Sequence, residues 1–430
     1  MRILHTSDWH LGRTFHRHSV LENLKTVLAE IATLVSEEGI DVVVVSGDVY
    51  DHSMPAAELY GVLDATVAAI RDNGAEVVMI SGNHDSAQRL GAGAQWTRFG
   101  GVHLLTKPDA FRFPVTISDE HGEVDFYGIP YLEPMLIGDL FETDGGSGAD
   151  TSGRQRPKTQ QQVIARAMAE VNALVEKRKH RSVVLSHCFA VNISGRQDSA
   201  GDNGAAEAAE LNTHLQRDIT AGGVDVVAAE VFQGVDYAAL GHIHSRQTLL
   251  ENVRYCGAPL HFSFGEANRP RGVWIVELNA AGLKNVTWRD LSIPRPLSRV
   301  TASLEALLEG AEYEKYERHW LEVELTDTVQ PIDAMRRVQE RFPFCAQLRF
   351  PRLATAERST QSYRERISDK APIDIVDEFL KDVRNPEGAS AAERELLESV
   401  IRVSMNADTR AAAPGTAAAG TTATNSGASQ

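Results

Sequence analysis

The sequence predicts an α/β fold in which a largely parallel central sheet is covered by helices and is followed by a smaller α/β unit. In residues 1–292, short runs rich in valine and isoleucine alternate with longer segments whose apolar residues recur every three or four positions. A proline-bearing stretch at 293–300 separates this region from the rest of the chain. Strands that alternate with helices form parallel sheets, because each helix crosses over the sheet between two strands.

The first part of this region predicts a strand–helix–strand–helix–strand order. Gly39 and Gly74 mark the ends of the two helices, and Pro55 lies near the start of the second. The strands "DVVVVSG" and "EVVMISG" are apolar at successive positions, which is typical of strands buried on both faces. The expected segments are a strand at 2–7, a helix at 19–39, a strand at 41–47, a helix at 55–74 and a strand at 76–82.

A polar, Gly/Ser-rich stretch at 142–162 then predicts a long loop. It is followed by a helix at 163–179 and by apolar strands at 182–187 and 236–244. We expect three antiparallel strands to close one side of the domain, at 254–259, 272–279 and 285–293.

Beyond the linker, the pattern predicts a strand at 319–327, a helix at 331–343 and a strand at 345–350, and then apolar-striped helices at 372–384 and 390–405. In the last of these helices, Ser390 and Glu393 form a capping-box pattern. From Ala411 onward the chain has no charged residue, so it cannot form a core and is predicted to be disordered. The expected domains are 1–292, 293–367, the helices at 368–409, and a tail at 410–430.

Composition limits the class of protein. The chain has 430 residues, of which 43% are hydrophobic and 24% charged, with a net charge of −16. This acidity disfavours a protein that coats nucleic acid, but it permits a nuclease, because bound cations can reverse the charge at a site. The start lacks the apolar segment of a signal peptide, and we expect no membrane span. Three widely spaced cysteines favour a reducing cytoplasm.

Polar residues follow five of the predicted strands at their carboxyl ends, where ligands bind in open α/β sheets. Five separate segments therefore bring carboxylates, an amide oxygen and imidazoles to one edge. The candidate metal ligands are Asp8, His10, Asp48, Asn83, His187, His242 and His244.

Seven oxygen and imidazole ligands are too many for one ion, and they suit two Mn, Fe or Zn ions rather than a cysteine-rich structural zinc site. Asp48 is the best candidate for a bridging carboxylate, because it ends the central strand. Two ions about 3.5–4 Å apart can activate water for in-line attack on phosphorus. His84, with the adjacent Asp85 holding its tautomer, is the candidate to protonate a leaving oxygen or to contact a phosphoryl oxygen.

The motifs "DWHLG", "GDVYD", "GNHD", "SH" and "GHIH" resemble those of the calcineurin-like metallophosphoesterases. The segments at 128–134, 255–267 and 271–278 narrow the resemblance to bacterial nuclease subunits that act with a coiled-coil ATPase. It implies a two-layered β-sandwich flanked by helices, a small α/β capping domain and C-terminal helices. It also implies that Asp8, His10, Asp48 and His244 bind one metal, and that Asp48, Asn83, His187 and His242 bind the other.

The same resemblance implies a manganese-dependent hydrolase, with Mg²⁺ or another divalent ion as an alternative cofactor. Its expected activities are 3′–5′ exonuclease on double-stranded DNA and endonuclease on single strands and hairpins. The expected assembly contains two nuclease chains and the ATPase. The C-terminal helices either bind that partner or pack on their own domain.

Further candidate DNA contacts are His52, Arg336, Arg337 and Arg341, each of which could equally be an ordinary solvated side chain. Asp51 is as ambiguous as His52. Two other functions compete with a nuclease: a phosphoesterase for nucleotides or other small esters on the same metal core, and a catalytically inactive scaffold for an ATPase. The complete ligand set and His84 argue against the scaffold.

Overall fold

A computed structural model describes residues 1–141, 157–192, 226–327, 329–350, 370–384 and 388–411. Most of the predicted loop at 142–162, the segment 195–204 and the tail beyond 411 lie outside the described residues. The chain divides into two compact units. One comprises Met1–Arg299 with Arg318–Glu322, and the other comprises Val300–Glu317 with the described residues from Val323 onward.

The described residues of the first unit form two six-stranded sheets and two two-stranded sheets, which pair β2 with β3 and β10 with β11. In chain order its strands are β1 Arg2–Thr6, β2 Thr14–Phe15, β3 His18–Ser19, β4 Val42–Ser46, β5 Glu76–Ile80, β6 Val102–Leu104, β7 Val115–Asp119, β8 Gly122–Ile129, β9 Arg181–His187, β10 Ala190–Val191, β11 Val227–Ala228, β12 Tyr237–Gly241, β13 Gln247–Leu250, β14 Val253–Tyr255, β15 Gly272–Asn279 and β16 Gly282–Asp290.

The first sheet has the order β16-β15-β1-β4-β5-β6. Strands β1, β4, β5 and β6 run parallel, and the β15–β16 hairpin adds to the edge of β1 in the antiparallel sense. This arrangement confirms the predicted parallel order of the first three strands and the antiparallel pair at 272–293. It also places β4, which ends just before Asp48, in the interior of the sheet.

The second sheet has the order β13-β14-β12-β9-β8-β7. Strands β8, β9, β12 and β14 are parallel, and β7 and β13 are antiparallel edge strands. The strand predicted at 254–259 corresponds to β14. We expected it to be antiparallel to its neighbours, but it is antiparallel only to β13 and runs parallel to β12. The prediction of a single central sheet was also wrong, because β9 and β12 belong to the second sheet and not to the sheet of β1, β4 and β5. The two-layered sandwich is confirmed.

The helices of the first unit are α1 Leu21–Glu37, α2 Ala57–Asp72, α3 Ala87–Leu90, α4 Ala94–Thr97 and α5 Gln160–Arg178. Helix α5 begins three residues before the predicted position, because the Thr159 side chain accepts a hydrogen bond from the Gln162 amide and caps the first turn. In the part of the chain that the structure describes, no helix is long and apolar enough to cross a bilayer.

The core between the two sheets is formed by alternate residues of their strands. Val42 and Val44 of β4 face Val183 and Leu185 of β9 in one cluster of buried side chains. The intervening Val184 belongs to a second cluster, together with residues of α5 on the other face of the sheet. Both faces of β9 are buried, which explains its continuous apolar sequence.

The second unit contains helices α6 Leu304–Glu309, α7 Ala334–Arg341, α8 Pro372–Arg384 and α9 Ala391–Ala411. A three-stranded sheet has the order β17-β18-β19, with β17 at Leu297–Ala302, β18 at Trp320–Leu325 and β19 at Cys345–Arg349. The division into units assigns residues 297–299 and 320–322 of this sheet to the first unit. The predicted linker at 293–300 was therefore partly wrong, because residues from Leu297 onward form a strand. Helix α9 extends to Ala411, so the first two residues assigned to a disordered tail are helical.

The inter-sheet core makes a testable contribution to stability. Replacing the fully buried Leu185 with alanine removes packed apolar surface, and we expect the free energy of unfolding to fall by about 2–5 kcal/mol. The matched control is Leu136→Ala, since that side chain is 83% exposed, and it should change stability by less than about 0.5 kcal/mol. Urea denaturation followed by circular dichroism measures both. Equal losses for the two variants would contradict the proposed core.

Candidate metal centre

The seven predicted ligands come together at the carboxyl edges of the two sheets. Strands β1, β4 and β5 of the first sheet lead into Asp8, His10, Asp48 and Asn83, and strands β9 and β12 of the second lead into the three remaining histidines. Hydrogen bonds join the two layers at this edge, from Ser46 Oγ to the Ala239 carbonyl and from the His242 amide to the Asp8 carboxylate. The site is thus built by both sheets, not by one sheet edge.

Asp48 lies at the centre of this cluster. Its Oδ2 atom is 3.5 Å from His10 Nε2 and 3.4 Å from His187 Nε2, so one oxygen is almost equally distant from two imidazoles that come from different sheets. Its other oxygen, Oδ1, accepts a hydrogen bond of 2.9 Å from the His84 amide. Asp48 is therefore within reach of donor groups that come from the ends of strands in both sheets.

On one side of Asp48, His10 Nε2 lies 3.0 Å from His244 Nε2, and Asp8 completes a group whose ligand atoms all lie within 4.8 Å of one another. On the other side, Asn83 Oδ1 is 3.0 Å from His187 Nε2 and 3.1 Å from His242 Nδ1. Two sets of nitrogen and oxygen donors therefore lie close to a single carboxylate, that of Asp48.

The backbone at these ligands has unusual dihedral angles. Asp8, His10, Asp48 and His242 all have positive φ values, of 53°, 46°, 49° and 104°. Positive φ is uncommon for residues other than glycine, and such strain concentrates at functional sites. The His10 amide donates to the Asp48 carbonyl, which holds the loops after β1 and β4 together and helps to maintain this conformation.

Two glycines of the motifs are required by close approach. A Cβ atom on Gly82 would lie 2.1 Å from Asp48 Oδ1, and one on Gly241 would lie 1.9 Å from the Ser46 carbonyl oxygen. Gly82 therefore lets the chain pass directly against Asp48, just beyond β4, and Gly241 lets it pass against Ser46, the last residue of β4. This explains why both "SGN" and "LGH" carry a glycine just before the ligand.

His84 is held by a different partner from the one we predicted. Its Nδ1 donates to the backbone carbonyl of Asp51 at 2.8 Å, and its ring packs edge-on against His10. The Asp85 carboxylate instead accepts three backbone amides, from Val49, Tyr50 and Gly82. The interpretation of Asp85 as the partner of the His84 imidazole was therefore wrong, because the half-buried carboxylate binds backbone amides of the two loops and the Asp51 carbonyl takes its place at His84.

Three of the four predicted DNA contacts are exposed on the surface, and the fourth, Arg341, is largely buried. The His52 side chain is 78% exposed and its Nε2 lies 3.2 Å from Asp51. Arg336 pairs with Glu340 on α7, and Arg337 is exposed. Arg341 donates to the carbonyls of Leu307, Leu308 and Gly310 and so caps the end of α6. This capping role is structural, and DNA binding by any of the four residues stays a prediction.

A buried ion pair that we did not predict supports His244. The Arg271 guanidinium is almost fully buried, donates to the His244 carbonyl and pairs with Glu266. Glu266 in turn accepts from the amide of Phe262, whose ring packs against His10 and His244. The only signal in the sequence was the presence of charged residues within the apolar segments at 255–278, and that signal does not identify a partner.

The electrostatics of the site follow from burial and paired charges. Burial alone would lower the pKa of His187, but the carboxylates of Asp48 and Asp8 outweigh it and raise the pKa to about 9. Burial alone would raise the pKa of Asp48, but His187 and His10 bring it well below its usual range. Burial lowers the pKa of His242 to about 3, so this imidazole is neutral and available as a ligand at pH 7.

The donor set fits divalent metal ions. Histidine, aspartate and asparagine ligands without thiolate suit Mn, Fe or Zn, and ring nitrogens only 3.0 Å apart bring their lone pairs towards one position. Within the part of the chain that the structure describes, three groups of histidine and aspartate residues have ligand atoms close enough for a shared ion: Asp8, His10 and His244; His10, Asp48 and His84; and Asp8, Asp48 and His187. Asp48 belongs to two of these groups.

The fold and this centre agree with a comparison against known families. Residues 1–246 match the model of the calcineurin-like phosphoesterases, which is more than half of the chain. The chain therefore belongs to the calcineurin-like phosphoesterase family. Residues 293–384 match a second family model, described as the type 5 capsule protein repressor C-terminal domain.

Curated relatives extend the similarity beyond the first unit. The chain is 26% identical over 418 residues to the SbcD subunit of the nuclease SbcCD from Bacillus subtilis, covering 95% of this chain and 99% of that protein. It is 28% identical to the protein of the same name from Staphylococcus saprophyticus and 25% identical to that from Staphylococcus epidermidis. Each of these two alignments covers 80% of this chain and 83% of the relative.

The close approach at Gly82 gives a direct test of the centre. In Gly82→Ala, the new methyl group must displace the Asp48 carboxylate, so we expect bound Mn²⁺ per chain to fall at least tenfold at a fixed free concentration. Gly61→Ala is the matched control, because nothing lies within 4 Å of its Cβ position on α2. Equilibrium dialysis with elemental analysis measures both. Undiminished metal content in Gly82→Ala would contradict the placement of Asp48.

The raised pKa of His187 predicts that metal binding releases a proton from this side chain. At pH 7, below the pKa of about 9, this histidine is protonated in the metal-free protein, and a metal ligand must be neutral. Binding of Mn²⁺ should therefore release about one proton per chain at pH 7, and the release should decline as the pH rises through 9. Calorimetric titrations in two buffers of different ionisation enthalpy measure the number. Proton release that is zero at pH 7 would contradict the assignment.

Proposed function

We propose that this chain is the metal-dependent nuclease subunit of an SbcCD-type complex. Its activities would be 3′–5′ exonuclease on double-stranded DNA and endonuclease on single strands and hairpins, in DNA repair, recombination and replication. The observation that carries the proposal is the Asp48 oxygen placed 3.5 Å and 3.4 Å from imidazoles of two different sheets. The names and lengths of the similar proteins support a nuclease over a phosphatase for small esters.

In this proposal two Mn²⁺ ions bind per chain, with Mg²⁺ or another divalent ion as a substitute. Asp8, His10 and His244 would hold one ion, Asn83, His187 and His242 would hold the other, and Asp48 would be the ligand common to both sets. When bound, the ions supply a water activated for attack and positive charge that stabilises the phosphoryl transition state. The buried Arg271–Glu266 pair keeps the His244 loop in place.

The chain itself contributes the orientation of His84. Its Nδ1 is committed to the Asp51 carbonyl at 2.8 Å, which leaves Nε2 as the nitrogen that can meet a substrate. In the protonated imidazole, Nε2–H can donate a hydrogen bond to a phosphoryl oxygen or a proton to the leaving oxygen. Asp85 acts only indirectly, since its three amide bonds hold the loops that carry Asp48 and His84.

The partner in this proposal is the SbcC ATPase, bound by two copies of this chain. Exposed apolar residues on α8 and α9 support a helix-in-groove contact, since Phe379, Leu396, Val400 and Val403 are all more than half exposed. The three cysteines are buried and free, which supports a cytoplasmic location.

The test uses the full chain, with and without SbcC, Mn²⁺ and an end-labelled hairpin duplex. Wild type with its partner should degrade the duplex, and His84→Gln should lower kcat by about 100-fold or more while keeping the wild-type Mn²⁺ content, because glutamine can neither carry the positive charge of a protonated imidazole nor give a proton to the leaving oxygen. A chromogenic phosphodiester is run in parallel.

His121→Gln, on the turn between β7 and β8, is the matched control and should retain the wild-type rate. Intact DNA with the wild-type complex would refute the nuclease proposal, and hydrolysis of the chromogenic diester alone would favour the small-ester function. Cutting by His84→Gln at the wild-type rate would refute the role of His84.

A further inference from the structure

Asp51 organises the rim of the metal centre. Its Oδ1 atom lies 3.2 Å from His10 Nδ1 and 3.2 Å from a terminal nitrogen of Arg13, and its backbone carbonyl accepts from His84. Arg13 follows directly after the ligand loop, since its amide donates to the His10 carbonyl. A guanidinium is thus anchored to the same residue that positions a proposed metal ligand and the proposed catalytic histidine.

Arg13 is held rigidly but keeps donors available. Its guanidinium lies 4.8 Å from the centroid of the buried Phe262 ring, a cation–π contact, and its side chain remains 27% exposed. Among the described residues, one hydrogen bond to Asp51 is the only one that the Arg13 side chain makes. Because a guanidinium has five N–H donors in a planar fork, most of this fork can still bind an oxyanion.

The position of Arg13 indicates which oxyanion its guanidinium can bind. Its contacts are Asp51 and Phe262, which in turn contact the ligand rings of His10 and His244, so Arg13 lies one layer outside the metal donors. A phosphate that reacts at the donors would be held by the donors and His84. The next phosphate along the same strand is the group that a rim cation would meet.

We propose that Arg13 binds the phosphate next to the scissile phosphate and thereby holds a nucleic-acid strand in register with the metal centre. This inference rests on the proposed nuclease function and deepens it, since it makes a polynucleotide a better substrate than an ester with a single phosphate. In a chain with a net charge of −16, a fixed cation at the rim also attracts the polyanion locally.

The test measures binding separately from cleavage. In the His84→Gln background, fluorescence anisotropy gives the affinity of the full chain with Mn²⁺ for a short single-stranded oligonucleotide at several salt concentrations. Adding Arg13→Gln should weaken binding about tenfold and reduce the slope of log K against log salt by about 0.7, the value for one lost phosphate contact on a single strand. Arg13→Lys keeps the charge but loses the fork, so it should retain the slope and lose part of the affinity.

Arg17→Gln is the matched control, because Arg17 is an exposed arginine on the neighbouring β2–β3 hairpin, and it should leave affinity and slope unchanged. With His84 restored, Arg13→Gln should raise KM for the oligonucleotide at least five times more than KM for a chromogenic diester, and its Mn²⁺ content should equal that of wild type.

Three results would overturn the assignment: an unchanged salt slope in Arg13→Gln, an equal loss in Arg17→Gln, or equal losses on both substrates with reduced Mn²⁺. The last would make Arg13 only a support for Asp51 and His10. Wild-type protein that binds the oligonucleotide through Arg13 but hydrolyses neither substrate would instead refute the proposed function, so the two failures are distinguishable.

Discussion

The arrangement of this protein depends on one carboxylate, that of Asp48, at the end of a strand buried on both faces. Such a charge is costly in the interior unless it is paired. It is offset here by imidazoles from both sheets and by the His84 amide. The sandwich, the close-approach glycines and the positive φ of the ligand residues all bring partners to this carboxylate. The same pairing would be exchanged for metal ions when they bind.

The need to hold partners around Asp48 explains the roles of several charged residues near the site. Asp85 accepts three amides of adjacent loops, and the Arg271–Glu266 pair fixes the carbonyl of a proposed metal ligand. Asp51 faces His10 with its side chain and His84 with its backbone. Strained backbone at a site persists only when the surrounding structure over-determines it, and these buried contacts have that effect.

The sequence predicted the strand ends well, because an apolar run that stops at Ser-Gly-Asp or Ser-Gly-Asn is readable from local pattern alone. The pattern could not show which strands belong to which sheet. Strands β4 and β9 both contain a continuous apolar run, and strand pairing depends on residues that are distant in the sequence. Asp85 was misread because its neighbour in sequence is His84, whereas its hydrogen bonds go to backbone amides. Arg271 and Glu266 could not be paired without the fold, because nothing local relates them to His244.

The sharing of Asp48 by two cations, as proposed above, would be visible in an anomalous difference map from crystals of the protein grown with Mn²⁺. We expect two peaks about 3.5–4 Å apart, both within bonding distance of the Asp48 carboxylate. A single peak, or two peaks of which neither contacts Asp48, would contradict it.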